Sequence, residues 1–382
     1  MSLIELPYGT KPYPLTLGAH HLVQPLATPP PTRPAFSLAR AALRLPSHGV
    51  LLDEQVQSGD RVVIIVSDDT RNDPRDEMIR ALRQRLPQVR LTIAVATGTH
   101  GPCDVSRLDL GDVDGIELVN HDCDDDANLV VIGHSRRGTP FRVNRCVAEA
   151  DWVIATGCVR PHYFAGFGGG CKAIFPGLGG RAEIRQNHEL KSEPGAQAGE
   201  VVDNPCRRDM EEVLEHLPGR AFLLNMVVDC EDRAHMAVAG DVVAAFRHAA
   251  QLARPFHQAV APTSRLIIAS AKLPISGSLY QASKIVAAVA RILEDDGVLV
   301  LVAECAEGVG GVEVVNQAIY EIGLRPRLPD RHTIYLVSDL AEPEVSQTYC
   351  EYAASIDEVI ARHPKLKPTV IPDAAELLLS PL

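Results

Sequence analysis

Three apolar runs in the first half of the chain each end in a cluster of polar residues. Residues 61–66 lead into SDDTR, residues 91–96 into TGTHG, and residues 150–159 into RPH. Continuous apolar runs bounded by glycine or polar turns are typical of strands that are buried on both faces. Between the first two runs, residues 74–86 have the spacing of a helix with one apolar side. This alternation predicts an α/β fold with a mainly parallel, doubly wound sheet.

The same alternation begins again after residue 258. Strands are predicted at residues 265–271, 297–305 and 332–339, and helices at residues 281–294 and 350–363. We therefore predict two α/β domains: a catalytic and cofactor-binding domain over residues 1–258 and a second domain over residues 259–365. A final segment, residues 366–382, could form a strand and a helix that pack back on either domain, with the N-terminal domain as one candidate. The active site is expected in the cleft between the two domains.

Composition excludes several classes of protein. The formal net charge of −12 argues against nucleic acid as a partner, since binding a phosphate backbone needs a concentrated basic face. Nine cysteines without a CxxC pair favour reduced thiols and therefore a cytoplasmic protein. The N-terminal residues lack a basic and apolar leader, and no uninterrupted apolar run is long enough for a bilayer. Neither a signal peptide nor a membrane span is predicted.

The polar clusters all follow the carboxyl ends of predicted strands. Because open α/β sheets bind ligands at this edge, SDDTR, TGTHG and RPH are expected to line one crevice. They supply His100 and His162. Each histidine alone is compatible with an ordinary turn residue. Together they suggest an acid/base pair, since imidazole titrates near neutrality, and a pair on opposite sides of a substrate suits a racemase.

A glycine-rich stretch, residues 159–190, follows the third of these strands and holds seven of the 28 glycines. Lys172 lies among apolar residues there, which favours burial or covalent use over a solvated lysine, because a buried amine loses its proton more easily. His188 could bind a metal, cap a helix or lie on the surface. The glycines match neither the P-loop nor the dinucleotide fingerprint, so an ordinary nucleotide-binding fold is not predicted.

Two further groups of residues could bind an anionic substrate. Asp68 and Arg71 stand three apart in SDDTR, and an arginine at a strand end can bind a carboxylate through two parallel hydrogen bonds. A surface turn with an ion pair would give the same pattern. Tyr280, Gln281 and Lys284 begin a predicted helix, whose dipole would help to hold a carboxylate. An ordinary helix start is the alternative there.

The complete set of motifs, SDDTR, TGTHG, PHYFAGFGGGCKAIFPG, NHEL and YQASK, resembles the lactate racemase family, whose members use a nickel-pincer nucleotide. The resemblance runs from about residue 60 to residue 300 and keeps the order of the motifs. Lys172 lies ten residues and His188 lies 26 residues after His162, as in that family. Gln281 and Lys284 likewise keep their separation of three.

The resemblance implies a role for each residue. Lys172 would carry the cofactor, a pyridinium-3-thioamide-5-thiocarboxylic acid mononucleotide with nickel, as a covalent thioamide, and protein made without the maturation enzymes would lack it. His188 would supply the protein ligand to nickel, in the square-planar geometry that suits Ni(II). His100 and His162 would be the two acid/base groups. The remaining residues would contact the cofactor (Asp68, Gly168 and Gly169) or the substrate (Arg71, Tyr280, Gln281 and Lys284).

The reaction implied is inversion at the hydroxyl-bearing carbon of a 2-hydroxy acid. One histidine would take the hydroxyl proton while the α-hydride moves to the pincer, and the planar 2-keto acid would be reduced again from its other face. Lactate racemases carry a tryptophan near the substrate in the second domain, whereas the one tryptophan here, Trp152, lies in a first-domain strand. Malate, another diacid or a sugar acid is therefore at least as good a candidate as lactate.

The partners implied are this small substrate and cofactor-biosynthesis proteins. Two other classes of function remain open on the sequence. One is a cofactor-free, metal-dependent lyase or dehydratase of hydroxy acids that uses His100 and His162. The other is a non-catalytic protein that binds a small molecule.

Overall fold

The computed structural model describes residues 2–49, 51–310 and 332–382. The chain forms two compact units. Thr28–Phe256 form the first, called here the central unit, and Met1–Ala27 with His257–Leu382 form the second, called the two-segment unit. Within the described ranges, no helix combines the length and the apolar composition that crossing a membrane requires.

The described strands are, in chain order, β1 (Ser2–Tyr8), β2 (Lys11–Leu17), β3 (His21–Leu22), β4 (Arg61–Ser67), β5 (Arg90–Ala96), β6 (Glu117–Asn120), β7 (Leu129–His134), β8 (Pro140–Asn144), β9 (Trp152–Val159), β10 (Pro161–His162), β11 (Gly166–Phe167), β12 (Arg220–Val228), β13 (Ala234–Gly240), β14 (Gln258–Ala261), β15 (Ser264–Ser270), β16 (Leu293–Val302), β17 (Thr333–Val337), β18 (Glu351–Tyr352), β19 (Thr369–Ile371) and β20 (Leu378–Pro381). The described helices are α1 (Ala35–Arg44), α2 (Leu52–Gln55), α3 (Arg75–Arg83), α4 (Arg145–Glu149), α5 (Arg181–Glu189), α6 (Pro205–Glu211), α7 (Val242–His257), α8 (Leu279–Val289), α9 (Glu342–Val345) and α10 (Ile356–Arg362).

The central unit is built on a six-stranded sheet with the order β13-β12-β9-β4-β5-β6. Neighbouring strands are parallel except for β13, which pairs antiparallel with β12. All eight residues of β9 are buried, which explains why this strand is an uninterrupted apolar run. Helices α1 and α3 add Leu43, Met78 and Leu82 to the core on the sheet. Because β9, β4 and β5 are adjacent and parallel, their carboxyl ends meet at one edge.

The two-segment unit has its own six-stranded sheet, with the order β18-β17-β16-β15-β19-β3 and parallel pairing throughout. The β1–β2 hairpin covers part of it: Ile4 and Leu6 belong to the same core as Leu266 and Ile268 of β15. Both units therefore combine helices with mainly parallel strands, which confirms the predicted α/β class.

The two units divide the chain differently from the predicted domains at two places. Residues 1–27 do not belong to the N-terminal domain predicted over residues 1–258, because β3 pairs with β19 and the hairpin packs its alternating apolar side chains on the other sheet. Residues 366–382 are not an appendage of the N-terminal domain either. They lie in the two-segment unit, where β19 pairs with β15 and β20 pairs with β14.

Candidate active site

The carboxyl ends of β9, β4 and β5 bring three of the polar motifs together. Asp68 to Arg71 follow β4, a short 3-10 turn (Gly98–His100) follows β5, and Arg160 follows β9. Side-chain contacts tie these ends to one another. Arg160 Nη1 donates to Asp73 Oδ1 at 2.7 Å, and His100 Nδ1 lies 2.7 Å from Asp68 Oδ2. These contacts join the three polar strand ends at one edge of the sheet, and the crevice predicted there stays a prediction.

Asp68 and His100 form a hydrogen-bonded pair. Burial raises the pKa of Asp68, but hydrogen bonds from His100 and Thr70 outweigh it, so the net pKa shift is downward. An ionised carboxylate can only accept, and therefore His100 Nδ1 donates the hydrogen. In its neutral form the imidazole then carries its hydrogen on Nδ1 and leaves Nε2 as the acceptor, while the side chain remains 45% exposed. His100 is thus prepared to accept a proton at Nε2.

The loop after β4 is held by Arg75, a buried residue at the start of α3. Its guanidinium donates to the backbone carbonyls of four residues, Ser67, Asp68, Arg71 and Asp73. Such a set of bonds fixes the backbone that carries Asp68 and Arg71. Among the described residues, the guanidinium of Arg71 itself has no hydrogen bond or ion pair, which leaves its donors available to a ligand.

Packing within the protein requires glycine at positions 169 and 170 of the glycine loop, residues 165–170. Gly169 has φ +89°, and a Cβ there would lie 2.6 Å from Asn225 Oδ1. Gly170 has φ +67°, and its Cβ would meet the ring of Phe246 at 2.8 Å. Gly168 lies in the loop with ordinary van der Waals space for a Cβ. The cofactor contacts predicted at Gly168 and Gly169 stay predictions, but the conformation of Gly169 already requires glycine.

Lys172 follows the glycine loop, in the 3-10 turn Gly170–Ala173. Among the described residues, its ammonium makes no hydrogen bond and no ion pair. Burial lowers the pKa of Lys172 to about 8, with further lowering by the charges of Arg71 and Arg207 and an opposing effect of Asp68. A substantial fraction of the amine is therefore neutral and nucleophilic near pH 8.

His162 and His188 contact the same aromatic ring. The ring centroid of buried Phe164 lies 4.6 Å from that of His162 and 4.8 Å from that of His188, in edge-on geometry with both. The backbone N–H of Ala165 donates to His162 Nδ1 at 3.3 Å, so the neutral ring carries its hydrogen at Nε2. The two histidines of the predicted acid/base pair are therefore held in opposite tautomers.

His188 lies in the last turn of α5, which is anchored by its neighbour. Asn187 is buried, and its side chain donates to Asp209 Oδ2 at 2.8 Å and to the carbonyl of Cys206 at 3.1 Å. Ser135 donates to the other oxygen of Asp209 at 2.5 Å. These bonds set the rotation of α5 and therefore the direction of His188.

Tyr280, Gln281 and Lys284 lie in the two-segment unit, in the first turns of α8. Lys284 Nζ donates to Gln281 Oε1 at 2.5 Å, so the two residues predicted to bind the substrate carboxylate are hydrogen-bonded to each other. Burial raises the pKa of Tyr280. Ser278 caps the helix by accepting from the N–H of Gln281. The predicted role in substrate binding stays a prediction, as does the predicted cleft.

Sequence reasoning missed two buried arginines of the central unit, Arg75 and Arg207. Arg75 binds the loop that carries Asp68 and Arg71, and Arg207 binds the glycine loop. The Asn204-Pro205 helix start two residues before Arg207 is visible in the sequence, but it marks the helix and not the guanidinium's partners. For Arg75 the sequence contains no comparable signal.

Comparison with known proteins gives the family. A family model described as the lactate racemase N-terminal domain matches residues 8–199. A lactate racemase of Lactiplantibacillus plantarum is 30% identical over 370 residues, which cover 86% of this chain and 87% of that protein. The chain belongs to the lactate racemase family. It is therefore an isomerase, and the resemblance of its motifs to this family is confirmed.

Other members of the lactate racemase family agree with this result. A lactate racemase of Thermoanaerobacterium thermosaccharolyticum is 30% identical over 287 residues, 72% of this chain and 67% of that protein. The lactate racemase apoprotein structure from that organism matches with a TM-score of 0.86 at 26% identity, covering 99% of this chain and 100% of that one. A Thermotoga maritima protein at 16% identity matches with a TM-score of 0.68, covering 91% and 98%, and shows the fold alone.

Proposed function

We propose that this protein is a racemase or epimerase of a 2-hydroxy acid that works with a nickel-pincer nucleotide attached to Lys172. The observation that carries the proposal is the Lys172 amine. It has a lowered pKa and no hydrogen-bonding partner among the described residues. The charge of Arg71 lowers this pKa, and the charge of Asp68 raises it. An anchor for a covalent cofactor thus lies within electrostatic range of a candidate carboxylate ligand, Arg71, and of the hydrogen-bond partner of His100, Asp68.

The side chains of the central unit fit this cofactor. Lys172 would hold it, since the neutral amine is the form that can be acylated and the lowered pKa increases the neutral fraction. His188 would hold the nickel, because imidazole suits Ni(II) and the ring is oriented through Asn187 of the same helix. The buried ring of Phe164 places His188 and His162 around a common neighbour. A metal ligand and an acid/base residue would thus flank one site.

When bound, the cofactor would supply an acceptor for the hydride of the substrate's α-carbon. Arg71 would bind the substrate carboxylate through its free donors and so fix the orientation of the α-carbon. His100 would take the hydroxyl proton at Nε2, because its Nδ1 donates to Asp68. His162 would serve the opposite enantiomer. To accept a proton at Nε2 it must first release the hydrogen bond from Ala165.

These groups support the proposed substrate class. A cation that binds a carboxylate and a base for a hydroxyl proton together select a 2-hydroxy acid. Lactate, which names the relatives, is one candidate, and malate, another diacid or a sugar acid are the others. We propose that Tyr280, Gln281 and Lys284 contribute to substrate binding, since their polar side chains begin α8.

Intact-protein mass spectrometry and a chirality assay test the proposed function. Protein co-expressed with the cofactor-biosynthesis enzymes should carry an adduct on Lys172 and should interconvert the enantiomers of at least one acid in a panel of 2-hydroxy acids. Protein without the adduct that consumes an acid of the panel by elimination would instead support the metal-dependent lyase or dehydratase. A loaded protein that leaves every acid of the panel unchanged would support a non-catalytic binding protein.

Replacing Asp68 by asparagine is expected to slow racemisation by about 10²- to 10⁴-fold while leaving the Lys172 adduct in place. The carboxylate holds the hydrogen of His100 on Nδ1. An amide can donate to Nδ1 instead, which moves the hydrogen to Nε2 and removes the base. Initial rates of the loaded variant, with adduct occupancy measured on the same sample, give the result.

Asp69→Asn is the matched control for this variant. Asp69 is the next residue, and its carboxylate makes a 3.6 Å ion pair with the exposed Arg107. Exposed pairs of this kind contribute about 0–1 kcal/mol, so loading and rate should stay close to those of the parent protein. Racemisation by Asp68→Asn at the parental rate would remove Asp68 from the mechanism.

A further inference from the structure

Arg207, near the start of α6, is fully buried, although arginine is rarely found fully buried without a partner. Among the described residues its guanidinium pairs with no carboxylate. It donates instead to the glycine loop: Nε to the carbonyl of Ala165 at 3.3 Å, Nη1 to that of Gly169 at 3.1 Å, and Nη2 to those of Ala165 and Phe167. Its Cζ lies 4.2 Å from the ring centroid of Phe246.

The glycine loop needs a donor at this position. Ala165, Phe167 and Gly169 are alternate residues, and the positive φ angles of Gly166 and Gly169 allow their carbonyls to face one guanidinium. Each buried carbonyl left without a donor would destabilise the loop. A planar fork spreads its donors over three nitrogens and can reach three separate carbonyls at once, whereas an ammonium holds its three donors on one nitrogen.

We propose that Arg207 is the positioning residue of the attachment lysine: by binding the carbonyls of the glycine loop it fixes the turn Gly170–Ala173 and presents the Lys172 amine as an available nucleophile. The inference rests on the proposed function in one respect, that the Lys172 amine serves to attach the cofactor. The connection is direct in the chain. Gly169 accepts from Arg207, and Gly170, the first residue of the turn, donates its N–H to Asn225 at 2.9 Å.

Electrostatics add a second effect of the same sign. Burial is the main cause that lowers the pKa of Lys172, and the charges of Arg71 and Arg207 follow, while Asp68 and Cys171 act in the opposite direction. Removing the charge of Arg207 should therefore raise the pKa of Lys172. Loosening the glycine loop should raise it too, because an amine that gains access to water is more easily protonated.

The test uses the unloaded full-length protein and does not depend on catalysis. Trace acetylation with acetic anhydride from pH 6 to pH 11, followed by peptide mass spectrometry, gives the pH at which labelling of Lys172 is half-maximal. We expect a midpoint near pH 8 for the parent protein. Arg207→Met should raise the midpoint by about one pH unit, so that the neutral fraction of the Lys172 amine at pH 8 falls about fivefold.

Arg208→Met is the matched control. Arg208 is the next residue on α6, and it is exposed and paired with Asp203 at 2.8 Å, so the midpoint should not move. Circular dichroism shows whether each variant folds. A folded Arg207→Met protein with the parental midpoint would overturn the proposal.

A second variant covers the case in which Arg207→Met does not fold. Arg207→Lys keeps the charge but loses the fork, so after co-expression with the maturation enzymes its adduct occupancy should fall severalfold, and its labelling midpoint should rise less than that of Arg207→Met. Full occupancy in Arg207→Lys would contradict the positioning role. If the matured parent protein itself carries no adduct, the proposed function fails, and the midpoints of the unloaded proteins still decide the role of Arg207.

Discussion

Lys172→Ala is expected to lose the cofactor adduct completely and to lower racemisation to the uncatalysed level, on the order of 10⁶-fold or more. Alanine has no amine to acylate, and without the attached group the site has no hydride acceptor. The variant should still fold, because the described residues give the Lys172 ammonium no hydrogen bond or ion pair that could be lost. Intact mass after co-expression with the maturation enzymes and a chirality assay on the same sample measure both effects.

Two further variants separate nucleophilicity from charge. Lys172→Arg keeps a cation, but a guanidinium stays protonated and cannot act as a nucleophile, so it too should remain without adduct. Lys365→Met, at an exposed position of the two-segment unit, should load and react as the parent protein does. Loading of Lys172→Ala at the parental level would show that the cofactor is held elsewhere.

The shared location of Asp68 and His100 follows from the sequence. Each residue comes directly after a buried apolar run, and parallel neighbouring strands end at the same edge of their sheet. Lys172 is similar: apolar neighbours indicate burial, and burial is the main cause of its lowered pKa. In these cases the local sequence pattern was enough to predict the surroundings that the residue has in the folded protein.

The buried arginines could not be predicted in this way. Arg75 and Arg207 bind backbone carbonyls, and a carbonyl is present in every residue, so the partners leave no mark in the sequence. Gly169 shows a related limit. Its place in the motif suggests a ligand close to the backbone, while its positive φ and the nearness of Asn225 give the residue a role inside the protein.

The sequence pattern also could not predict that the two-segment unit is built from two separate parts of the chain. The β1–β2 hairpin alternates apolar and polar residues, which predicts one buried face but does not identify the sheet that covers it. Ile4 and Leu6 pack with β15, which lies more than 250 residues later in the chain. Pairing of β3 with β19 has the same long range.

His100→Ala and His162→Ala are each expected to retain the Lys172 adduct and to lose inversion by about 10²- to 10⁴-fold, the usual contribution of a general acid/base group. The two variants should also differ in which enantiomer of the substrate they can still oxidise. If each histidine serves one enantiomer, a loaded variant can still oxidise the enantiomer that meets the remaining histidine, and the 2-keto acid then returns from the same face. Supplying each enantiomer separately and trapping the keto acid with a carbonyl reagent should give mirror-image results for the two variants.

This pattern distinguishes a pair of bases from a structural effect, which would lower keto-acid formation from both enantiomers alike. His134→Ala is the control, since His134 is exposed at the end of β7. The hydrogen bonds of the two rings sharpen the expectation further. His100 already has its hydrogen on Nδ1 through Asp68, whereas His162 must give up the hydrogen bond from Ala165 before it can accept a proton. The direction that starts at His100 should therefore be the faster half-reaction, and full inversion by His162→Ala would contradict the two-base mechanism.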